Sequence, residues 1–264
     1  MKISVNNTDT FVSTGTRPFD PAGDVLLFIH GSGQSHLTWM LQSRYFANRG
    51  FQVLAPDLPG HYLSSGQPIE SIEAIADWCI TLLDEMGVTT ATVIGHSQGG
   101  LVCLELASRY PDRIKKMAIV SAAKAIPVND ALIDLSQKAE VKAHGAMVSW
   151  SHAAPGHKFD HTMPGHNHLD CGKKVMRQNP DGVLTTDLKA CNNYTNGDAA
   201  AAAITCPSLC LLAAEDKMVP AKFGKMLAAD LKDCTLEVIP RAGHFLPSEM
   251  AHETNKSLRS FFTA

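Results

Sequence analysis

Short apolar runs recur along this chain, and nearly every one is followed by a longer stretch with helical spacing. Val25-Leu26-Leu27-Phe28-Ile29 is continuously apolar and stops at His30-Gly31, the pattern of a strand buried on both faces. Residues 37–49 then read as a helix closed by Gly50, and Gln52-Val53-Leu54-Ala55 as a strand stopped by Pro56. Ile72, Ile75, Ala76, Cys79, Leu82 and Leu83 share a helical face, and Gly87 ends that helix. The rhythm continues through strand 91–94, helix 99–110 and strand 116–120. Parallel strands need crossover connections, which helices supply. The alternation therefore predicts an α/β protein with a mostly parallel central sheet flanked by helices.

Between residues 125 and 203 the strand pattern lapses. Helices are expected over 130–148 and within 187–203. Strands and helices return at 207–212, 221–231, 235–239 and 248–262. The expected organisation is a core of residues 1–124 and 204–264 carrying an insertion, 125–203. With 264 residues, 45% hydrophobic and 19% charged, the chain has apolar surface enough for a large core.

Net charge is −3, so no overall positive field attracts nucleic acid. No apolar stretch reaches the ~20 residues that span a bilayer. The first residues lack the basic-then-apolar run of a secretory signal, and a cytoplasmic location is expected. Seven scattered cysteines fit reduced thiols better than a disulfide framework. Nothing in the sequence fixes an oligomeric state.

Chemistry concentrates at Gly95-His96-Ser97-Gln98-Gly99-Gly100, between a strand and a helix. A serine presented on a strained strand-to-helix turn needs small residues two positions either side, and Gly95 and Gly99 supply them. The first amides of the following helix then face the space above the serine, where negative charge is stabilised. A serine hydroxyl also needs an adjacent base, and that base needs a carboxylate to orient it.

The chain resembles the α/β-hydrolase superfamily. The resemblance rests on His30-Gly31-Ser32-Gly33, Asp57-Leu58-Pro59-Gly60-His61, the Ser97 turn, the segment from Ala213 to Pro220, and Ala242-Gly243-His244-Phe245. It implies an α/β-hydrolase fold with a mainly helical and loop cap inserted after the sixth strand. It also implies a triad in the order Ser97, Asp216, His244. Ala213 stands where the family usually has glycine, and Glu215 is the neighbouring competitor for the acid. The oxyanion hole maps to the amides of Ser32 and Gln98, the Ser32 hydroxyl either adding a hydrogen bond or facing solvent. By the same resemblance His30 is structural, His96 points beneath the turn, and His61 lies in a family-like loop. The expected activity is cofactor-free hydrolysis of a small or medium carboxylic ester. Carbon–carbon, lactone and amide hydrolysis, or a perhydrolase reaction, remain open on the same triad, as does a non-catalytic receptor.

The insertion holds His144, His152, His157, His161, His166 and His168, with Asp160, Asp170 and Cys171 among them. His166-Asn167-His168-Leu169-Asp170-Cys171 resembles a zinc-binding run of metallo-β-lactamase-like hydrolases, although Cys171 replaces its final histidine. A polar loop is the simpler reading, and no metal is expected at the active site. Met147, Trp150, Met163 and Tyr194 either wall the substrate pocket or pack the insertion onto the core.

Overall fold

The computed structural model describes residues 1–157 and 167–264. An eight-stranded sheet runs through the molecule. Its strands are β1 (Lys2–Val5), β2 (Thr8–Ser13), β3 (Val25–Ile29), β4 (Gln52–Pro56), β5 (Ala91–His96), β6 (Ile114–Val120), β7 (Ser208–Ala213) and β8 (Cys234–Ile239). They lie in the order β1-β2-β4-β3-β5-β6-β7-β8. From β4 to β8 every pairing is parallel, and β2 joins β1 and β4 antiparallel. The β1–β2 hairpin turns at Asn6 and Asn7, at φ +51° and +60°, the two positive values of a type I′ turn.

The sheet separates two cores by the period-two alternation of its side chains. Leu27, Ile29, Val93, Met117, Ile119 and Cys210 pack with helices α2 (Ile72–Glu85) and α3 (Gln98–Arg109). Leu26, Phe28, Ile94, Ala118, Val120 and Leu211 face the other way, against α1 (Met40–Ala47) and the C-terminal helix. This two-sided burial explains why the strands read as unbroken apolar runs.

Six helices are described between β6 and β7: α4 (Asp130–Lys138), α5 (Glu140–Ser151), α6 (Ala154–His157), α7 (His168–Met176), α8 (Val183–Asn193) and α9 (Gly197–Ala203). Leu132, Met147, Val148, Met176, Leu184 and Leu188 of this segment form a third apolar cluster that also takes in Phe245. After β7 come α10 (Ala221–Asp230), then, beyond β8, α11 (Leu246–Glu249) and α12 (Ala251–Thr263).

Several expected helices are divided. The 37–49 helix starts as a 3-10 turn at His36–Trp39. The 130–148 helix breaks at Ala139, whose φ of −157° leaves the helical region. Within 187–203, α8 gives way to α9 at 194–196, where Gly197 starts the second helix against the Lys124 carbonyl: a Cβ there would lie 1.8 Å from that oxygen. Helix α7, not expected from the pattern, is opened by the Asn167 side chain, which accepts from the Leu169 amide at 2.9 Å. Among the described residues no helix is long and apolar enough to cross a membrane.

Candidate active site

Ser97 sits between β5 and α3 at φ +54°, ψ −119°, a conformation that costs a non-glycine residue roughly 1–3 kcal/mol. The surroundings hold it there. A Cβ on Gly95 would stand 2.0 Å from the Gly99 carbonyl oxygen, and one on Gly99 2.3 Å from that of Ile29. The Ser97 amide donates to the Val120 carbonyl at 3.0 Å, so the turn is pinned to β6. Gln98 opens α3, and its amide, like others of a first helical turn, has no acceptor within the helix.

Two carboxyl-terminal turns bring Asp216 and His244 together. Asp216 Oδ1 accepts from the amides of Met218 (2.9 Å) and Val219 (2.8 Å), and Oδ2 faces His244 Nδ1 at 2.8 Å. Both residues are buried. The His244 carbonyl accepts from His96 Nε2 at 2.8 Å. Glu249 steadies the approach to His244: its Oε2 accepts from the Gly243 amide at 2.8 Å and its Oε1 from that of Ala153 at 2.9 Å. Burial raises the Glu249 pKa, against the pull of those two amides.

His30 and His96 are buried neutral rings. Burial and neighbouring imidazole lower His30 to about 4 and His96 to about 3. His30 Nδ1 donates to the Gly31 carbonyl at 2.9 Å while its Nε2 accepts from the Leu58 amide at 3.1 Å. It thus ties the loop after β3 to the loop after β4. The Ser32 hydroxyl does not face solvent: it lies 3.5 Å from the thiol of Cys191 on α8.

Ser97, His244 and Ser32 line one cavity of about 130 Å3, together with Met147, Trp150 and Lys217. Met147 is buried in the wall and Trp150 is 45% exposed. Tyr194 is elsewhere, donating to the buried Glu105 Oε1 at 2.8 Å, so it packs α8 onto α3 and lines no part of this cavity. Met163 lies outside the described residues. Glu215 is exposed and its carboxylate takes no part in the His244 pairing.

The described histidines of the insertion have mostly separate partners, although the rings of His152 and His168 stand 6.1 Å apart. His152 Nδ1 bonds the Val148 carbonyl at 2.9 Å, and burial lowers its pKa to about 4. His144 lies 3.7 Å from Glu140, and His157 bonds the Ser149 carbonyl. His168, Asp170 and Cys171 occupy the start of α7, with Asp170 3.5 Å from Lys173. Asp160, His161 and His166 lie outside the described residues. Among the described residues no three His, Cys, Asp or Glu side chains gather as a metal site.

Sequence reasoning missed three contributors. Glu249 and Lys217 gave no signal beyond an ordinary surface charge. Asp187, whose Oδ2 accepts from the Gly33 amide at 2.7 Å, carried one: on α8 it shares the helical face of Leu184, Leu188 and Cys191, where a charge is out of place.

The model of the alpha/beta hydrolase family matches residues 26–256. Protein ABHD8 of Mus musculus is 26% identical over 90% of this chain and 54% of its own length. The chain therefore spans about half the length of that relative. Putative carbamate hydrolase RutD of Variovorax paradoxus is 28% identical over 90% of this chain and 91% of its own. Pimeloyl-[acyl-carrier protein] methyl ester esterase of Chromobacterium violaceum is 27% identical over 84% and 87%. Among solved structures, the enol-lactonase from Burkholderia xenovorans superimposes with a TM-score of 0.89 at 20% identity, covering 100% of both chains.

Proposed function

The chain belongs to the alpha/beta hydrolase family, and on that premise we propose that it is a serine hydrolase cleaving a small or medium carboxylic ester through an acyl-enzyme. The observation that carries this is the 2.8 Å pairing of His244 Nδ1 with Asp216, His244 lining the same cavity that Ser97 enters from its strained turn.

In this reading Asp216 fixes the tautomer of His244, with hydrogen on Nδ1 and a free Nε2 to take the Ser97 proton. Ser97 Oγ attacks the ester carbonyl, and the amides of Ser32 and Gln98 hold the oxyanion, each worth about 3 kcal/mol in the transition state. His244 returns the proton to the departing alcohol. Water, activated by the same imidazole, then releases the acid. No cofactor enters any step.

Residues 125–203 act as a cap that walls the cavity, with Met147 and Trp150 forming an apolar side. A volume of about 130 Å3 lies below the ~300–1,000 Å3 of drug-sized sites, which supports a short acyl or alcohol group. An ester also agrees with the name of the Chromobacterium violaceum relative. Among the described lining residues Lys217 is the one lysine or arginine, and among the described residues it has no ion pair, which favours a substrate bearing a carboxylate.

The test is turnover of p-nitrophenyl esters of rising acyl length by the native enzyme and by Ser97→Ala, each with and without chelator. The expected result is activity lost only in the variant, with an optimum at short acyl chains. Turnover that survives Ser97→Ala overturns the proposal.

A further inference from the structure

The loop after β3 is a tight turn. Gln34 donates its amide to the Gly31 carbonyl at 3.1 Å, and Gly33, third of the four residues, has φ +64°, the position that type II turns give to glycine. Turns of types I and II differ mainly by a flip of the central peptide, here Ser32–Gly33. Whatever binds the Gly33 amide therefore fixes how the Ser32 backbone is set. That partner is Asp187 Oδ2, 2.7 Å away on α8.

Asp187 is fully buried, and a lone carboxylate there would be costly. The same Oδ2 also meets His61 Nε2 at 2.9 Å, while His61 Nδ1 faces the Pro59 carbonyl at 3.0 Å. Both ring nitrogens of His61 point at acceptors, and only an imidazolium donates from both. Burial disfavours that charge, yet Asp187 and the Pro59 carbonyl outweigh it and raise the pKa. The other ionisable groups facing this ring are Asp57, itself bonded to His36 at 2.8 Å, and His30, whose ring centroid is 4.9 Å away and which is neutral. One helical turn beyond Asp187, Cys191 holds the Ser32 hydroxyl.

We propose that Asp187 and His61 form a buried ion pair that positions the oxyanion loop. Asp187 pins the Ser32–Gly33 peptide and so holds the turn on which the Ser32 amide, in the preceding peptide, faces the reacting carbonyl. His61 cancels a carboxylate charge that would otherwise oppose the oxyanion. The two are positioning residues, acting through Ser32, and the inference rests on the serine hydrolase reading above.

Asp187→Asn separates geometry from charge. Asparagine with its oxygen in the place of Oδ2 can still accept from the Gly33 amide and from His61 Nε2, but it supplies no charge to pair with an imidazolium. Asp187→Ala removes both hydrogen bonds. The experiment measures kcat and KM on a p-nitrophenyl ester from pH 5 to 10 for the native enzyme and both variants. It adds the Ki of a trifluoromethyl ketone, which forms a tetrahedral oxyanion adduct on serine, with the plain ketone as a control.

Asp187→Ala is expected to lower kcat roughly 10–100-fold, less than the ~100–1,000-fold lost when an oxyanion donor is removed outright. Its Ki for the trifluoromethyl ketone should rise by the same factor, with KM and the plain ketone changing less than about threefold. Asp187→Asn is expected to recover at least tenfold over alanine at neutral pH. It should also lack the alkaline decline of kcat that the native enzyme shows when His61 loses its proton. A folded Asp187→Ala with kcat within twofold of native overturns the proposal. So does an alkaline decline that persists in Asp187→Asn, which decides the matter even if the alanine variant does not fold. Ser97→Ala runs alongside: if it still turns over, the serine reading fails and this inference falls with it. If it is inactive and the Asp187 variants are unaffected, only this inference fails.

Discussion

Replacing Asp216 by asparagine tests the proposed mechanism at the point where geometry leaves least freedom. The carboxylate has two distinct sides, Oδ1 accepting from the Met218 and Val219 amides and Oδ2 facing His244 Nδ1 at 2.8 Å. In Asp216→Asn the amide oxygen must take the Oδ1 side. The reverse orientation would set an NH2 against two backbone donors, at about 1–3 kcal/mol for each buried group left unpaired. The NH2 then points at His244 Nδ1, which must become an acceptor. The hydrogen moves to Nε2, and the ring loses the lone pair that would deprotonate Ser97. Every hydrogen bond survives, and only the base is disabled. The expected loss is about 10³–10⁴ in kcat, or roughly 4–5.5 kcal/mol, with KM little changed. Steady-state hydrolysis of a p-nitrophenyl ester measures it, with the melting temperature expected to stay within about 2 °C. Glu215→Gln is the matched control and should be silent. An Asp216→Asn enzyme that keeps a tenth of native kcat refutes the reasoning.

Lys217→Met is expected to raise KM about tenfold for an ester carrying a terminal carboxylate and to leave its neutral counterpart unchanged; equal effects on both would remove the lysine from substrate selection. Tyr194→Phe deletes one of two donors to the buried Glu105 Oε1, the other being Asn196 at 2.7 Å. Loss of a hydrogen bond to a charged group costs about 1.5–3 kcal/mol, which thermal melting should register as a fall of roughly 4–8 °C. His30, His96 and His152 have folded pKa values lowered to about 4, 3 and 4. The unfolded chain therefore binds protons first as pH falls below ~6.5, and each ring weakens the fold by about 1.4 kcal/mol per pH unit until its own folded pKa is reached. Urea midpoints between pH 7 and 4 should show this decline, and His152→Gln should make it shallower.

The central parallel strands were legible because burial on both faces leaves a short apolar run. The Ser97 turn was legible because its glycines are steric necessities, as the 2.0 Å and 2.3 Å approaches demonstrate. Helix breaks were not, since Ala139 is as good a helix former as its neighbours. There the competing interaction is tertiary: Glu140 bonds the Gly182 amide at 2.8 Å, across the segment. The 166–171 run reads as a polar loop, and its described part, from Asn167, opens a helix instead. Asn167 caps a helix, and helix starts draw on the same polar residues as metal sites. Asp187 was legible in principle, as an acid on an apolar helical face, but its partner His61 lies 126 positions away, a distance at which no spacing rule operates.

Helix α8 belongs to the segment between β6 and β7, yet it touches both halves of the chemistry. Leu188 and Cys191 line the cavity, and Asp187 and Cys191 grip the turn after β3. The segment is therefore not interchangeable as one block. Grafting α4 and α5 from another protein would redraw the walls and leave the turn intact. Replacing α8 would alter which molecules fit and how fast they react in a single stroke. A library that diversifies this enzyme should keep residues 184–191 fixed and spend its variation on 128–150.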